Sequence, residues 1–335
     1  MAKRKPPASE RVEEKCQASL ITGDVLSRFP VSIFGSVMGF SGLTRAFRAS
    51  ESVFGIDKQW GNLSGITAIL TFVLLLGIFS VKITACFSQV KSEFINPATG
   101  AFYATLPIAI LLLSTITDYI LPYLYSWLWC IGSVLMLSLA FFTCYKLLNA
   151  RHDPLDIQPG LILPVVGVLN ITVTGGRMTW YWAHEVMLLA FATGAGLTAI
   201  FFTLIFSRLI HNERLSKPME PTLMILMSPF AVCCLAYVSI TGKMDLFAVV
   251  LYYLALFLFF ILIFRVFVHQ RSFIHTWWSL AFPIAALANA SLKYASFSNN
   301  PTSVTIAALL MIILTTLVVY MLTTSIYLAY KNRLY

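Results

Sequence analysis

Six stretches of the chain, residues 59–81, 94–117, 119–145, 186–207, 246–264 and 294–330, contain no charged side chain at all. Each is close to or beyond the ~20 apolar residues that an α-helix needs to cross the hydrocarbon layer of a bilayer. Four more, 29–49, 157–176, 221–242 and 274–293, are apolar enough to join them, giving ten spans. Only 11% of the 335 residues are charged and 59% are hydrophobic, where a soluble domain carries about 25% charged residues. The fold class read from these runs is an all-α polytopic membrane protein. One transmembrane domain over 28–330 is flanked by a cytosolic tail, 1–27, and a short cytosolic C-terminus, 331–335.

An even number of spans puts both termini on one side. With that side cytoplasmic, 17 of the 23 Lys and Arg residues fall inside and 6 outside, the excess that the positive-inside rule demands. The chain is therefore expected in the cytoplasmic membrane with both ends inside, and its net charge of +9 reflects topology. Nucleic acid is not an expected partner, since that needs a basic face on a folded soluble surface. Residues 1–27 lack the apolar core of a cleavable signal. The six cysteines (Cys16, Cys86, Cys130, Cys144, Cys233 and Cys234) have no metal-ligand spacing and read as small apolar filler. No metal or cofactor is expected. Nor is an enzyme: there is no Asp-rich metal motif, and no nucleophile paired with a base.

The prolines repeat. Phe29-Pro30-Val31-Ser32, Leu106-Pro107-Ile108-Ala109, Leu163-Pro164-Val165-Val166, Ser228-Pro229-Phe230-Ala231 and Phe282-Pro283-Ile284-Ala285 fall in spans one, three, five, seven and nine, 77, 57, 65 and 54 residues apart. Proline inside a helix removes a hydrogen bond and kinks it. Irregular backbone at membrane depth is tolerated only where protein or a water-filled cavity surrounds it. The pattern predicts a repeated helical hairpin, with odd spans as an inner layer and even spans facing lipid. Gly35 and Gly39, one turn apart in the first span, permit close approach of backbones.

The ninth span carries the most suggestive stripe. Ala286, Asn289 and Lys293 lie within ~40° of Phe282 at 100° per residue, and the stripe runs from a bulky aromatic to a cation at the outer mouth. The matching stripe in the fifth span is Leu163, Gly167, Asn170 and Thr174, while spans three and seven offer only Thr117 and Ser239 at the far end. A conduit lined by small and neutral polar groups is closed by a bulky apolar side chain across it, and Phe282 is the candidate. Lys293 with Arg45, Arg48 and Arg177 would make the outer rim positive, although interfacial snorkelling is the better account of any one of these cations taken alone. The only acids near the spans are read as Asp118 and Glu185, both at helix ends, whereas proton-driven carriers bury such groups as relays.

The proline hairpins and several local strings resemble the tellurite-resistance/C4-dicarboxylate transporter family, which includes bacterial tellurite-resistance protein A and plant guard-cell slow anion channels. The strings are Phe29-Pro30 with Phe34, Gly35 and Gly39; Asn96-Pro97; Leu163-Pro164 with Asn170; Ser228-Pro229-Phe230 with Tyr237; and Trp277-Trp278 with Phe282-Pro283 and Asn289. The resemblance covers roughly 28–330. It implies five helical hairpins around a quasi-five-fold central pore, a pore-occluding phenylalanine matched here by Phe282, and a homotrimer with one pore per subunit. The expected function is an anion channel or transporter for chloride-, nitrate-, malate- or sulfite-class anions. Two alternatives stand beside it: a proton-coupled C4-dicarboxylate or sulfite carrier, and a non-transporting resistance factor acting with a soluble partner.

Overall fold

The computed structural model describes residues 29–118, 122–149, 153–269 and 277–331. The expected tail, 1–27, the first residues of the ninth span and the last four of the chain lie outside the described residues. Among those described there is no β-strand, and eleven α-helices run longer than one turn. In order they are α1 (Gly35–Phe54), α2 (Lys58–Ala85), α3 (Phe87–Ile95), α4 (Thr105–Thr117), α5 (Pro122–Asn149), α6 (Leu163–Gly175), α7 (Ala183–His211), α8 (Ser228–Thr241), α9 (Leu246–His269), α10 (Trp278–Ser298) and α11 (Pro301–Tyr330).

Two populations separate by burial. In α2, α5, α7, α9 and α11, between 22% and 39% of the most apolar window is buried, although leucine, isoleucine and phenylalanine dominate the exposed faces. All thirteen residues of α6 are buried, as are eleven of the thirteen in α4. Apolar side chains left facing outward along helices of 24 to 30 residues are stable only against lipid. The molecule is a polytopic helical membrane protein, and six of its helical stretches are long and apolar enough to cross a bilayer.

The buried helices touch one another in chain order, α1 to α4, α4 to α6, α6 to α8 and α8 to α10, and α10 returns to α1. Each also packs against the lipid-type helix that follows it in sequence. Three of the connecting turns share one construction. Gly55, Gly242 and Asn299 adopt positive φ (67°, 66° and 49°) and end α1, α8 and α10. Asp57, Asp245 and Asn300 then accept backbone N–H bonds that start α2, α9 and α11. A left-handed C-terminal residue followed by an Asx N-cap satisfies both orphaned ends within three residues. Asp245 also accepts from the Tyr237 hydroxyl, which with the two backbone donors holds its carboxyl below the usual carboxylate range.

The repeated prolines mark a change of helix type. Segments of 3-10 helix, Val31–Phe34, Ala101–Ala104, Pro159–Ile162 and Lys217–Met227, lead into α1, α4, α6 and α8. Pro107, Pro164 and Pro229 lie in the first three residues of their α-helices, where N–H groups have no intrahelical partner and proline costs little. Pro30 caps the first 3-10 segment. Only Pro283 is interior to its α-helix, where it denies the Ser279 carbonyl its usual donor.

The seam between α1 and α10, first and last of the buried set, is closely packed. A Cβ added to Gly39 would lie 2.7 Å from the Ala281 Cβ, and one added to Gly42 would lie 2.4 Å from the Ala285 Cβ. One turn further, Asn289 Nδ2 donates to the Gly42 carbonyl at 3.0 Å. Gly42→Ala is therefore expected to destabilise the protein by about 1–3 kcal/mol, and Ala285→Gly in the same chain to restore most of it. An unchanged thermal midpoint in detergent for Gly42→Ala would show the seam to be looser than this.

Candidate functional site

Three cavities follow one another inside the closed set of buried helices, and each is lined from all five repeats. The first is an open chamber of about 380 Å³ at the C-terminal ends of α4, α6 and α8. Arg45 and Arg48 of α1, Thr115 of α4, Thr174 of α6, Ser239 of α8 and Lys293 of α10 line it, with Asp118 and Arg177 from the flanking turns. About one turn deeper lies a cavity of about 20 Å³ lined by Gly42, Leu112, Asn170, Val232 and Phe282 among others. The third, about 10 Å³, is bounded by Gly35, Thr105, Leu163, Ile225, Ser279 and Phe282. Arg45, Val173, Leu235 and Asn289 are shared by the first two cavities. Phe282 alone is shared by the second and third.

Phe282 is 5% exposed and belongs to a firmly rooted turn. Trp278, one turn earlier, packs against Phe40 with ring centroids 5.7 Å apart and donates Nε1–H to the Ser325 hydroxyl. The polar side chains along the cavities are largely satisfied within their own helices: Asn170 Nδ2 donates to the Val166 carbonyl and Thr174 Oγ1 to the Asn170 carbonyl. Such walls are wettable yet present no set of converging donors around one point.

The electrostatics of the chamber can be weighed. Helix C-termini each carry roughly −0.5 charge, so the ends of α4, α6 and α8 contribute roughly −1.5 in total and alone would attract cations. Four cations and one carboxylate line the same space, for a formal charge of +3. The cations outweigh the helix ends, and the chamber is net positive. Arg177 pairs with Asp118, Arg48 Nη1 donates to the Thr115 carbonyl at 3.1 Å, and Lys293 lies 5.3 Å from the Phe297 ring centroid.

Of the residues singled out in the sequence, Gly35, Leu163, Asn170, Phe282, Ala286, Asn289, Lys293, Arg45 and Arg177 border these three cavities. Phe29, Pro30, Gly39, Leu106, Pro107, Pro164, Ser228, Pro229 and Pro283 do not; they belong to helix joints and helix–helix contacts. Gly167 departs from its expected stripe, because its α-carbon faces Met136 of α5. In α4 it is Thr115, not Thr117, that reaches the chamber.

Sequence reasoning missed a buried polar cluster at the opposite end. Lys82, fully buried, donates from Nζ to the Phe29 carbonyl at 2.7 Å and to Glu93 Oε1 and Oε2 at 2.8 and 2.9 Å. Gln89 and Tyr103 also donate to Glu93. Two acids beyond Asp118 and Glu185 therefore matter, Glu93 and the buried Glu220. Tyr125 was likewise unforeseen: its hydroxyl donates to the Thr174 carbonyl and accepts from the Arg177 N–H, which fixes the chamber wall.

The sequence model of the voltage-dependent anion channel family, SLAC1, matches residues 28–326. The chain is similar to the S-type anion channel SLAH2 of Arabidopsis thaliana, 27% identical over 302 residues, which are 86% of this chain and 57% of that relative. Similarity to the S-type anion channel SLAH3 of the same plant is 26% over 320 residues, 92% of this chain and 49% of the relative. The chain thus spans about half the length of these plant relatives. The tellurite resistance protein TehA homolog of Haemophilus influenzae is 25% identical over 271 residues, 79% of this chain and 81% of that protein.

Proposed function

The chain belongs to the voltage-dependent anion channel family, and on that premise we propose that it is a passive pathway for small inorganic or organic anions, closed by the Phe282 ring. The observation that carries the reading is that Phe282 alone borders the cavities on both of its sides. Ten spans in five hairpins about a quasi-five-fold axis, with both termini cytoplasmic, complete the proposal. The chain-order contacts of the buried helices and the repeated turns support that layout. Selectivity follows from what an anion gives up on entering: the charged chamber raises its local concentration, and the apolar constriction then favours anions that shed water readily.

The test is reconstitution of the purified protein alone, with flux of chloride, nitrate, malate and sulfite measured in proteoliposomes. Flux that survives collapse of the proton gradient is expected. Flux that requires the gradient would favour a coupled carrier, and no flux would favour a non-transporting resistance factor. Lys293 supplies a graded check. Lys293→Gln is expected to lower conductance about twofold at low ionic strength and much less at high salt, because the field of an exposed cation is screened. An equal loss at both salt concentrations would assign Lys293 to packing.

A further inference from the structure

Three of the lipid-type helices end alike. Near their last turns α2, α5 and α7 carry Lys82, Lys146 and Arg208, and an acid follows 11, 10 and 12 residues later, Glu93, Asp156 and Glu220. The first pair is closed at 2.8 Å. In the second, Lys146 and Asp156 border one cavity of about 50 Å³. Both lysines also bond a carbonyl just ahead of the buried helix of their own repeat: Phe29, before Pro30, and Ile95, before Asn96-Pro97.

The third pair differs. Arg208 ends the buried stripe of α7 that includes Thr198, Phe201 and Ile205. It is 6% exposed, and Glu220, in the 3-10 segment Lys217–Met227, is 7% exposed. Among the described residues, Arg208 Nε and Nη1 and Glu220 Oε2 are buried without a hydrogen-bond partner. Leaving a buried charge unpaired is far more costly than leaving a pair. α7 and the 217–227 segment also rest on the same neighbour, Pro159–Ile162.

We propose that Arg208 and Glu220 form a latch of the Lys82–Glu93 kind, open in this structure and closed in a second state of the protein. Closure draws the 217–227 segment toward the end of α7. That segment carries Ile225, which borders the cavity beyond Phe282, and runs directly into Ser228-Pro229 at the start of α8. The latch is thus a positioning device for one wall of the pathway. Its effect on flux rests on the conduction reading; the pairing itself does not.

A charge-swap cycle tests it. Wild type, Arg208→Glu, Glu220→Arg and the double swap are compared by thermal midpoint in detergent and by nitrate flux in proteoliposomes. Each single reversal is expected to lower the midpoint and to change flux about threefold, with the swap recovering most of both changes. Additive losses in the swap, or single variants indistinguishable from wild type, overturn the latch. Where reversals do not fold, Arg208→Gln, Glu220→Gln and their double give the same cycle: a double more stable than either single supports pairing, and an additive double overturns it. If no variant passes nitrate, Phe282→Ala included, the conduction reading falls, while the midpoint cycle still decides the latch.

Discussion

Replacing Phe282 with alanine is expected to raise anion conductance about tenfold or more, equivalent to removing about 1.4 kcal/mol from the permeation barrier. Phe282 is the one residue that lines both a cavity of about 20 Å³, which shares four lining residues with the charged chamber, and a cavity of about 10 Å³. Removing it joins the two. The backbone there has independent support, since Trp278 is held by Phe40 and Ser325, and Asn289 ties α10 to Gly42. Stability gives a second reading of the same variant. A phenylalanine wedged wholly in a core costs about 3–5 kcal/mol on truncation to alanine, whereas a ring bordered by space on two sides is expected to cost less. Phe282→Leu should fall between wild type and alanine in conductance. A folded Phe282→Ala protein that conducts no better than wild type would mean that the ring only packs.

Loss of Lys82 is expected to be the most damaging single change at the opposite end of the molecule. Its ammonium has no solvent exposure and makes three hydrogen bonds, two to Glu93 and one to the Phe29 carbonyl. Lys82→Met leaves Glu93, which is only partly exposed, without its cation, and unties the entry to α1. Breaking one side of such a pair costs about 3 kcal/mol or somewhat more, read as a drop of several degrees in thermal midpoint. Adding Glu93→Gln should return part of it, because the uncompensated charge is then gone. Equal midpoints for Lys82→Met and wild type would show that the cluster contributes nothing to stability.

Much of this was legible before any coordinates. Charge-free runs reveal helices such as α2 and α11 because a lipid-facing surface tolerates only one kind of residue. The five Xaa-Pro strings locate the buried helices for a different physical reason than a simple kink: three mark the joint where 3-10 backbone becomes α-helix, and Pro283 alone interrupts a helix. Phe282 stands out because a bulky aromatic heads a stripe of small and polar residues. Facing was less legible. A uniform 100° per residue aligns Gly167 and Thr117 with the cavities, but Gly167 turns to Met136 and Thr115 takes the chamber position. Glu93 and Glu220 escape that reading although each directly precedes an apolar run, 94–117 and 221–242. Glu93 lies in the short helix α3 and Glu220 in the 3-10 segment before α8, and the tertiary partners of such short lead-in segments leave no periodic trace in the sequence.

The most direct measurement of the central claim is the reversal potential of purified wild-type and Phe282→Ala protein in a planar bilayer under a chloride gradient at symmetrical pH. A passive anion pathway closed by Phe282 predicts a larger current in Phe282→Ala, reversing near the chloride equilibrium potential and unmoved by a proton gradient. A current reversing near the cation potential, one that follows the proton gradient, or the absence of current from both proteins would contradict it.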